Sequence, residues 1–77
     1  MSKTLYAPEY RRLIEWLKSS RIEQGLTMRE LAKRLEVPHS YVGKIEQCER
    51  KLDVLEFVKY CNKLGLAPNM GLLMLSE

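Results

Sequence analysis

The stretch that most constrains this chain of 77 residues runs from Thr27 to Glu46 and has the apolar spacing of two short helices with a tight turn between them. In each half, apolar residues recur at helical spacing, which places them on one face of a helix. The residues at these positions are Leu31, Ala32 and Leu35 in the first helix and Val42 and Ile45 in the second. The spacing therefore predicts a pair of short amphipathic helices.

Local signals indicate where these two helices begin and how they meet. Residues 27–30 form a T-x-x-E capping box directly before the first apolar run, which predicts the start of the first helix. The second helix begins at about Pro38 or His39, and Pro38 suits this position because a missing N–H group costs nothing in a first helical turn. The small side chain of Ala32 lets the helices cross at a steep angle, and Val37 in the turn points inward. Such a pair forms a helix-turn-helix, whose second helix can lie in the major groove of DNA.

Further helices are predicted on both sides of this pair. A first helix covers about residues 8–24 and ends before Gly25, and a fourth begins after the N-cap Asp53 and ends at Gly65. A fifth begins at Pro68. The apolar face of the first helix is predicted to contain Leu13, Trp16 and Leu17 with Ser20, flanked by Ile14 and Arg21. The apolar face of the fourth is predicted to contain Val54, Leu55, Phe57, Val58, Cys61 and Leu64. The prediction is an all-α chain.

The composition fits one small domain over residues 1–77, for which we expect a small core of limited stability. Hydrophobic residues make up 45% of the chain and charged residues 30%, which argues against disorder. No apolar run is long enough to span a membrane, and the N-terminus lacks the apolar core of a signal peptide. We therefore expect a cytoplasmic protein without a membrane partner. Residues 1–7 form either an arm or a frayed terminus with Leu5 or Tyr6 resting on the core.

The basic residues are concentrated in the part of the chain that holds the predicted helix-turn-helix. Residues 1–51 carry eleven basic and seven acidic residues, a net charge of +4. Residues 52–77 carry two basic and three acidic residues, a net charge of −1, which gives +3 for the whole chain. A surface that faces phosphate groups needs such a basic excess, although many solvated helix faces are mildly basic as well.

The chain shows no set of residues for a metal, a cofactor or a catalytic reaction. Its cysteines, Cys48 and Cys61, form no C-x-x-C motif, and the single histidine, His39, does not complete a zinc pattern with them. We expect Cys61 to pack as a small hydrophobic residue and Cys48 to be a free thiol in a polar loop. No paired carboxylates and no glycine-rich phosphate loop are found, so the sequence predicts no enzyme and no small-molecule ligand.

The last helix carries more apolar residues than one helix face can hold. They are Met70, Leu72, Leu73, Met74 and Leu75. A terminal helix cannot cover all of them within its own monomer, and a Leu/Met patch of this size is unusual on a monomer. We therefore expect residues 66–77 to form a homodimer interface, which would also stabilise a domain this small. The alternative is that this segment simply closes a thin core.

From Arg21 to Leu66 the chain resembles the Cro/phage-repressor (XRE) family of helix-turn-helix regulators. The motifs that carry the resemblance are R-x-x-x-G-L-T at 21–27, E-L-A-x-R-L at 30–35, V-P-H-S-Y-V-G-K-I-E-Q at 37–47 and D-V-L-E-F-V-x-Y-C-x-x-L-G-L at 53–66. The resemblance covers well over half of the chain, including the flanking helices. It implies a lambda-repressor-like DNA-binding domain, a compact bundle of five short helices in which helices 2 and 3 form the helix-turn-helix.

The resemblance also implies roles for individual residues. The N-terminal part of helix 3 would enter the major groove, and the base-reading residues would be His39, Ser40 and Lys44. The DNA backbone contacts would come from Met28, Arg29, Tyr41, Gln47, Arg50 and Lys51. Lys44 could donate to O6 and N7 of guanine. Tyr41 could instead be a packing residue at the edge of the core. Arg21 and Glu46 match a buried ion pair of the family, which would be structural.

The chain departs from the family pattern at three positions. Glu36 stands where the family has its turn glycine, and a left-handed conformation there costs roughly 1 kcal/mol. Met28 stands where a glutamine often opens helix 2 and helps to grip a phosphate. Gly43 lies inside helix 3, where glycine costs about 0.5–1 kcal/mol relative to alanine. Either Gly43 permits a close approach to DNA, or it is a tolerated weak position on an exposed face.

The main hypothesis is a sequence-specific, double-stranded DNA-binding transcriptional regulator, a repressor that acts as a homodimer on a palindromic operator. The alternative is a protein-interaction module on the same fold that does not bind DNA, such as an antitoxin-like protein or an assembly factor. The modest net charge of +3 and the methionine at position 28 are the features that favour this alternative.

Overall fold

The computed structural model of the protein describes residues 7–76, which fold into five α-helices without a β-strand. The helices are α1 (Pro8–Glu23), α2 (Met28–Leu35), α3 (His39–Glu46), α4 (Val54–Leu64) and α5 (Pro68–Leu75). The predicted all-α bundle of five short helices is therefore confirmed. The arm or terminus predicted for residues 1–6, with Leu5 and Tyr6, lies outside the described residues, as does residue 77.

Two reciprocal caps set the starts of α2 and α4. The Thr27 hydroxyl accepts a hydrogen bond from the backbone N–H of Glu30 at 3.0 Å, and the Glu30 carboxylate accepts from the backbone N–H of Thr27 at 2.8 Å. Asp53 and Glu56 form the same box at α4, with distances of 2.7 and 3.0 Å. Each box pairs backbone N–H groups that a helix start otherwise leaves unpaired. Both predicted helix starts are confirmed.

The core lies where α1 and α4 meet the pair formed by α2 and α3, and α5 packs on α1 and α4. Its buried hydrophobic residues are Tyr10, Leu13, Ile14, Leu17, Leu31, Ala32, Val42, Ile45, Leu52, Phe57, Tyr60, Cys61 and Leu64. Trp16 is only partly buried, at the edge of this core. Tyr10, Leu52 and Tyr60 were not predicted to belong to it, because tyrosine is ambiguous in a periodicity argument and Leu52 stands alone in a charged loop.

Tyr10 connects two distant parts of the chain. Its hydroxyl accepts a hydrogen bond from the backbone N–H of Leu52 at 3.2 Å. This contact joins the start of α1 to the loop before α4, and burial raises the pKa of the Tyr10 hydroxyl. Burial also raises the pKa of Tyr60, which is almost completely enclosed. Both tyrosines therefore act as neutral core residues.

The buried face of α4 is narrower than the sequence predicts. Phe57, Cys61 and Leu64 of this face are buried and Val58 is partly buried, whereas Val54 is 81% exposed and Leu55 is 65% exposed. The prediction that places Val54 and Leu55 on the core face is therefore wrong. Both lie in the first turn of α4, at the margin of the core, and Tyr60 completes the buried stripe instead.

The two cysteines are free. Cys61 is buried as predicted, and this burial raises the pKa of its thiol to about 11. Cys48 is half-buried in the loop after α3. Within residues 7–76, no three side chains of His, Cys, Asp or Glu come together as a metal site. None of the five helices is both long and apolar enough to cross a bilayer.

Helix α5 docks through a glycine. Gly71 is buried, and a Cβ atom on it would lie 2.8 Å from carbon atoms of Leu13, Trp16 and Phe57. Carbon atoms at van der Waals contact are about 3.5–4.0 Å apart, so no side chain fits at this position. The absence of a side chain at Gly71 therefore sets how closely α5 approaches α1 and α4.

We expect Gly71→Ala to lower the free energy of unfolding by about 1–3 kcal/mol, because the added methyl group overpacks the junction of α1, α4 and α5. Gly43→Ala is the matched control, since a Cβ there meets nothing closer than the Met28 sulfur at 3.8 Å. Its gain in helix propensity should raise the free energy of unfolding by about 0.5–1 kcal/mol. Urea unfolding followed by Trp16 fluorescence measures both, and effects of the same sign would contradict this packing.

Candidate nucleic-acid interface

The turn between α2 and α3 depends on one residue in the left-handed conformation. Glu36 has φ 60° and ψ 45°, and its backbone N–H donates to the Lys33 carbonyl at 3.2 Å. The N–H of Val37 donates to the Ala32 carbonyl at 3.0 Å, so the last turn of α2 is closed while the chain changes direction. Glu36 thus adopts the conformation that the family's turn glycine implies, at a cost of roughly 1 kcal/mol.

The packing of α3 against α2 leaves one side of α3 exposed. Leu31 and Ala32 of α2 are buried, as are Val42 and Ile45 of α3. Among the helices of residues 7–76, α2 and α3 share the most extensive contact. Val37 is partly buried against the same core, in agreement with its predicted inward orientation. Because Val42 and Ile45 lie on the side of α3 that faces the core, the opposite side of α3 faces solvent.

The exposed side of α3 carries polar side chains. His39 and Ser40 are the first two residues of the helix, Lys44 follows one turn later, and all three are exposed. Gln47, immediately after the helix, is exposed as well. These side chains present hydrogen-bond donors and acceptors that can pair with base edges or phosphate oxygens. The residues that sequence reasoning assigned to base reading thus share one accessible surface.

The start of α2 borders this surface. Met28 and Arg29 are both exposed, and the Met28 sulfur lies 3.8 Å from the point where a Cβ on Gly43 would be. Gly43 therefore has room for a methyl group within the fold. Neither its backbone conformation nor its packing against α2 requires a glycine.

The loop between α3 and α4 contains a second non-glycine residue in the left-handed conformation, which sequence reasoning missed. Cys48 has φ 58°, and the backbone N–H groups of Glu49 and Arg50 then donate to the Lys44 carbonyl at 2.8 and 3.3 Å. Cysteine has no preference for this conformation, so its identity gave no signal. The bend turns the basic loop residues back toward the end of α3.

Arg50 is held in this loop by two neighbours. Its Nη2 donates to Oε2 of Glu56 at 2.9 Å, and its guanidinium lies over the Tyr41 ring, 4.7 Å from the centroid. Hydrogen bonds from Arg50 and from the backbone N–H of Asp53 lower the pKa of Glu56. Burial raises the pKa of the half-buried Tyr41. A guanidinium has five N–H donors, so this arrangement leaves donors for a further acceptor. Lys51, next in the loop, is exposed.

A buried ion pair joins α1 to the end of α3. Nε of Arg21 lies 2.6 Å from Oε2 of Glu46, and Nη2 lies 3.1 Å from Oε1. The two side chains are 9% and 3% exposed. A further guanidinium nitrogen, Nη1, donates to the Leu26 carbonyl at 2.7 Å. The bidentate geometry fixes both the distance and the rotation of α3 relative to α1.

A profile of the helix-turn-helix family matches residues 17–69. The chain belongs to the XRE-type helix-turn-helix family. It is 40% identical to a solved XRE-family like protein from Pseudomonas syringae pv. tomato strain DC3000, with a TM-score of 0.85 over 96% of this chain and 90% of that one. YqaF of Bacillus subtilis, named as an HTH-type transcriptional regulator, is 39% identical over 51 residues, 66% of this chain and 67% of YqaF. The clp gene regulator ClgR from C. glutamicum is 25% identical, with a TM-score of 0.77 over 88% of each chain.

This XRE-type protein is thus a helix-turn-helix transcription regulator, and its five-helix fold matches that of XRE-family structures. The matched range of residues contains α2, the turn, α3, the loop with Arg50 and all of α4. Most of α5, by contrast, lies beyond residue 69.

We expect Glu46→Gln to lower the free energy of unfolding by about 3–5 kcal/mol, because it leaves the Arg21 guanidinium buried without its counter-charge. Glu56→Gln is the matched control in the partly exposed pair with Arg50. A glutamine there can still complete the capping box, so the cost should be about 1 kcal/mol or less. Urea unfolding compares the two variants, and similar costs would show that the Arg21–Glu46 pair does not act as a buried ion pair.

Proposed function

We propose that α2 and α3 are the helix-turn-helix of this regulator and that each subunit inserts α3 into the major groove of double-stranded DNA. The observation that carries the proposal is the accessible polar surface of α3, held by the buried ion pair at its C-terminal end and by the packed α2 behind it. An α-helix fits the major groove, where each base pair presents a distinct pattern of donors and acceptors. The regulator would therefore read sequence rather than only bind phosphates.

Within this proposal, the exposed side chains divide into two roles. Lys44 donates to guanine O6 and N7, and His39 and Ser40 pair with neighbouring base edges. The backbone contacts come from Arg29 and the main chain of Met28 at the start of α2, and from Gln47, Arg50 and Lys51 after α3, with the Tyr41 hydroxyl at the edge. Contacts to phosphates from both ends of the motif would set the orientation of α3 without reading sequence.

The second part of the proposal is a homodimer formed through α5. Met70, Leu72, Leu73 and Leu75 are all exposed, whereas Met74 is partly buried against its own core and contributes less. An apolar groove of about 230 Å³ continues this surface toward the first turn of α4. The groove is lined by Val54, Val58, Leu72 and Leu75 among others. Covering these residues removes apolar surface from water, which favours association.

The dimensions of the domain suit a palindromic site. The described part of the chain measures 30 × 26 × 20 Å. Two such domains related by a two-fold axis can place their copies of α3 about one helical turn of DNA apart, which is roughly 34–36 Å. A two-fold dimer would therefore set two copies of α3 in successive major grooves. A dimer bound across a promoter would repress transcription by occlusion.

In vitro selection from random duplex DNA tests the reading of sequence. We expect an enriched inverted repeat with half-sites about 10 bp apart or a multiple of that. Lys44→Ala should lose the preference at one position in each half-site, with affinity for the selected site about 10–100-fold lower. Lys59→Ala on α4 removes the same charge and should leave the preference intact. If the wild-type protein enriches no sequence, the proposal of DNA reading is wrong, and a protein-interaction module becomes the better hypothesis.

Sedimentation tests the dimer independently of DNA. Leu73→Lys should weaken self-association at least tenfold, because it places a charge within the apolar contact. Ile22→Lys is the matched control, since Ile22 on α1 is 56% exposed and Leu73 is 57% exposed. We expect this control to remain dimeric. A wild-type protein that sediments only as a monomer at a few tens of micromolar would contradict the interface on α5.

A further inference from the structure

Met28 places an apolar side chain beside the polar surface of α3. It is the first residue of α2 and it is exposed, although α2 has a buried face available for apolar residues. Its sulfur lies over α3 at Gly43, 3.8 Å from the position of an absent Cβ. The thioether therefore packs on α3 instead of on the core.

Gly43 lies on the same side of α3 as the base-reading candidates. Successive residues of an α-helix are about 100° apart, so position 43 falls between positions 39 and 47 around the helix, about 60° from position 40 and about 100° from position 44. Because Gly43 has no side chain, nothing on α3 itself covers this part of the surface. The Met28 side chain borders this position and is exposed to solvent there.

The chemistry of a thioether limits what it can recognise there. A methionine side chain has no hydrogen-bond donor and its sulfur is a weak acceptor, so it cannot hold a phosphate. In the major groove, the apolar group that distinguishes one base from the others is the C5-methyl of thymine. Methionine is flexible and polarizable, which suits a contact of this kind.

We propose that the Met28 side chain contacts the methyl group of one thymine in each half-site, with Gly43 providing the space for this contact. The inference rests on the proposed DNA binding and makes it more specific. It assigns a base contact to the side chain of Met28, a residue for which the sequence analysis predicts a contact with the DNA backbone. The main-chain N–H of Met28 remains available for a phosphate contact, so the two roles are compatible.

Removing one methyl group at a time from the DNA tests this contact. Each thymine of the selected operator is replaced in turn by deoxyuridine, which removes only the methyl group. For wild-type protein, we expect the replacement to matter at one thymine position, which occurs once in each half-site. Removing the methyl group there should lower the affinity about fourfold for each half-site changed, which corresponds to the burial of one methyl-sized group. In Met28→Gln the same replacement should have no effect, because the apolar partner is gone.

Two variants control for indirect effects. Met28→Leu keeps an apolar side chain of similar size and should retain the sensitivity to deoxyuridine at the same position. Ile22→Gln makes the same kind of apolar-to-amide change on α1 and should leave that sensitivity at the wild-type level. Circular dichroism checks that each variant is folded before its affinity is measured.

The outcomes separate this inference from the function on which it rests. A wild-type protein that selects an operator but shows no methyl-dependent position would overturn the role of Met28 and leave the DNA reading intact. Equal sensitivity to deoxyuridine in wild-type protein and Met28→Gln would also overturn it, because another residue would then contact the methyl group. A wild-type protein that selects no sequence would overturn the proposed function, and this inference with it.

Discussion

The orientation of α3 depends on the ion pair between Arg21 and Glu46. The Arg21 guanidinium donates three hydrogen bonds, two to the Glu46 carboxylate and one to the Leu26 carbonyl. One buried side chain thus joins α1, the loop before α2 and the last residue of α3. Because a buried charge without its partner is costly, the arrangement is stable only when all three segments are in place. The position of the proposed recognition surface is therefore coupled to the folding of the whole domain.

Helix α3 is also bounded at both ends by residues in the left-handed conformation. Glu36 precedes it and Cys48 follows it, and neither is a glycine. Such residues cost roughly 1–2 kcal/mol each, so packing around α3 must offset the cost. At one end Val37 is partly buried in the core, and at the other the backbone of Glu49 and Arg50 is bonded to the Lys44 carbonyl. The result is a short helix whose two ends are both held by the domain.

Helix α5 has one side that the fold needs and another that it does not use. Gly71 lies in close contact with Leu13, Trp16 and Phe57, which fixes the helix on α1 and α4. The opposite side exposes Met70 and Leu73 to solvent. The docking of α5 therefore determines how its exposed leucines are presented, and a change at Gly71 would alter both stability and the proposed association. In this sense the proposed dimer surface is built on the core of the monomer.

The sequence by itself determined the features that depend on neighbouring residues. Helical spacing placed Leu31, Val42 and Ile45 in the core, and the T-x-x-E box and the N-cap Asp53 located the starts of α2 and α4. These succeed because hydrogen bonds and side-chain contacts over three or four residues decide them. The exposed polar residues of α3 could be proposed from the same spacing. The pairing of Arg21 with Glu46 came from the family resemblance, since no local pattern joins residues so far apart.

Only the tertiary structure decided the contacts between distant residues. It showed that Tyr10 bonds to the backbone of Leu52, that Val54 and Leu55 are exposed, and that Gly71 is a packing position. It also placed Met28 against Gly43, although these residues belong to two different helices, α2 and α3. The physical reason is that a local pattern describes which side of a helix is apolar. How far the core extends along that side, and which residue of another helix lies opposite, depend on the arrangement of all five helices.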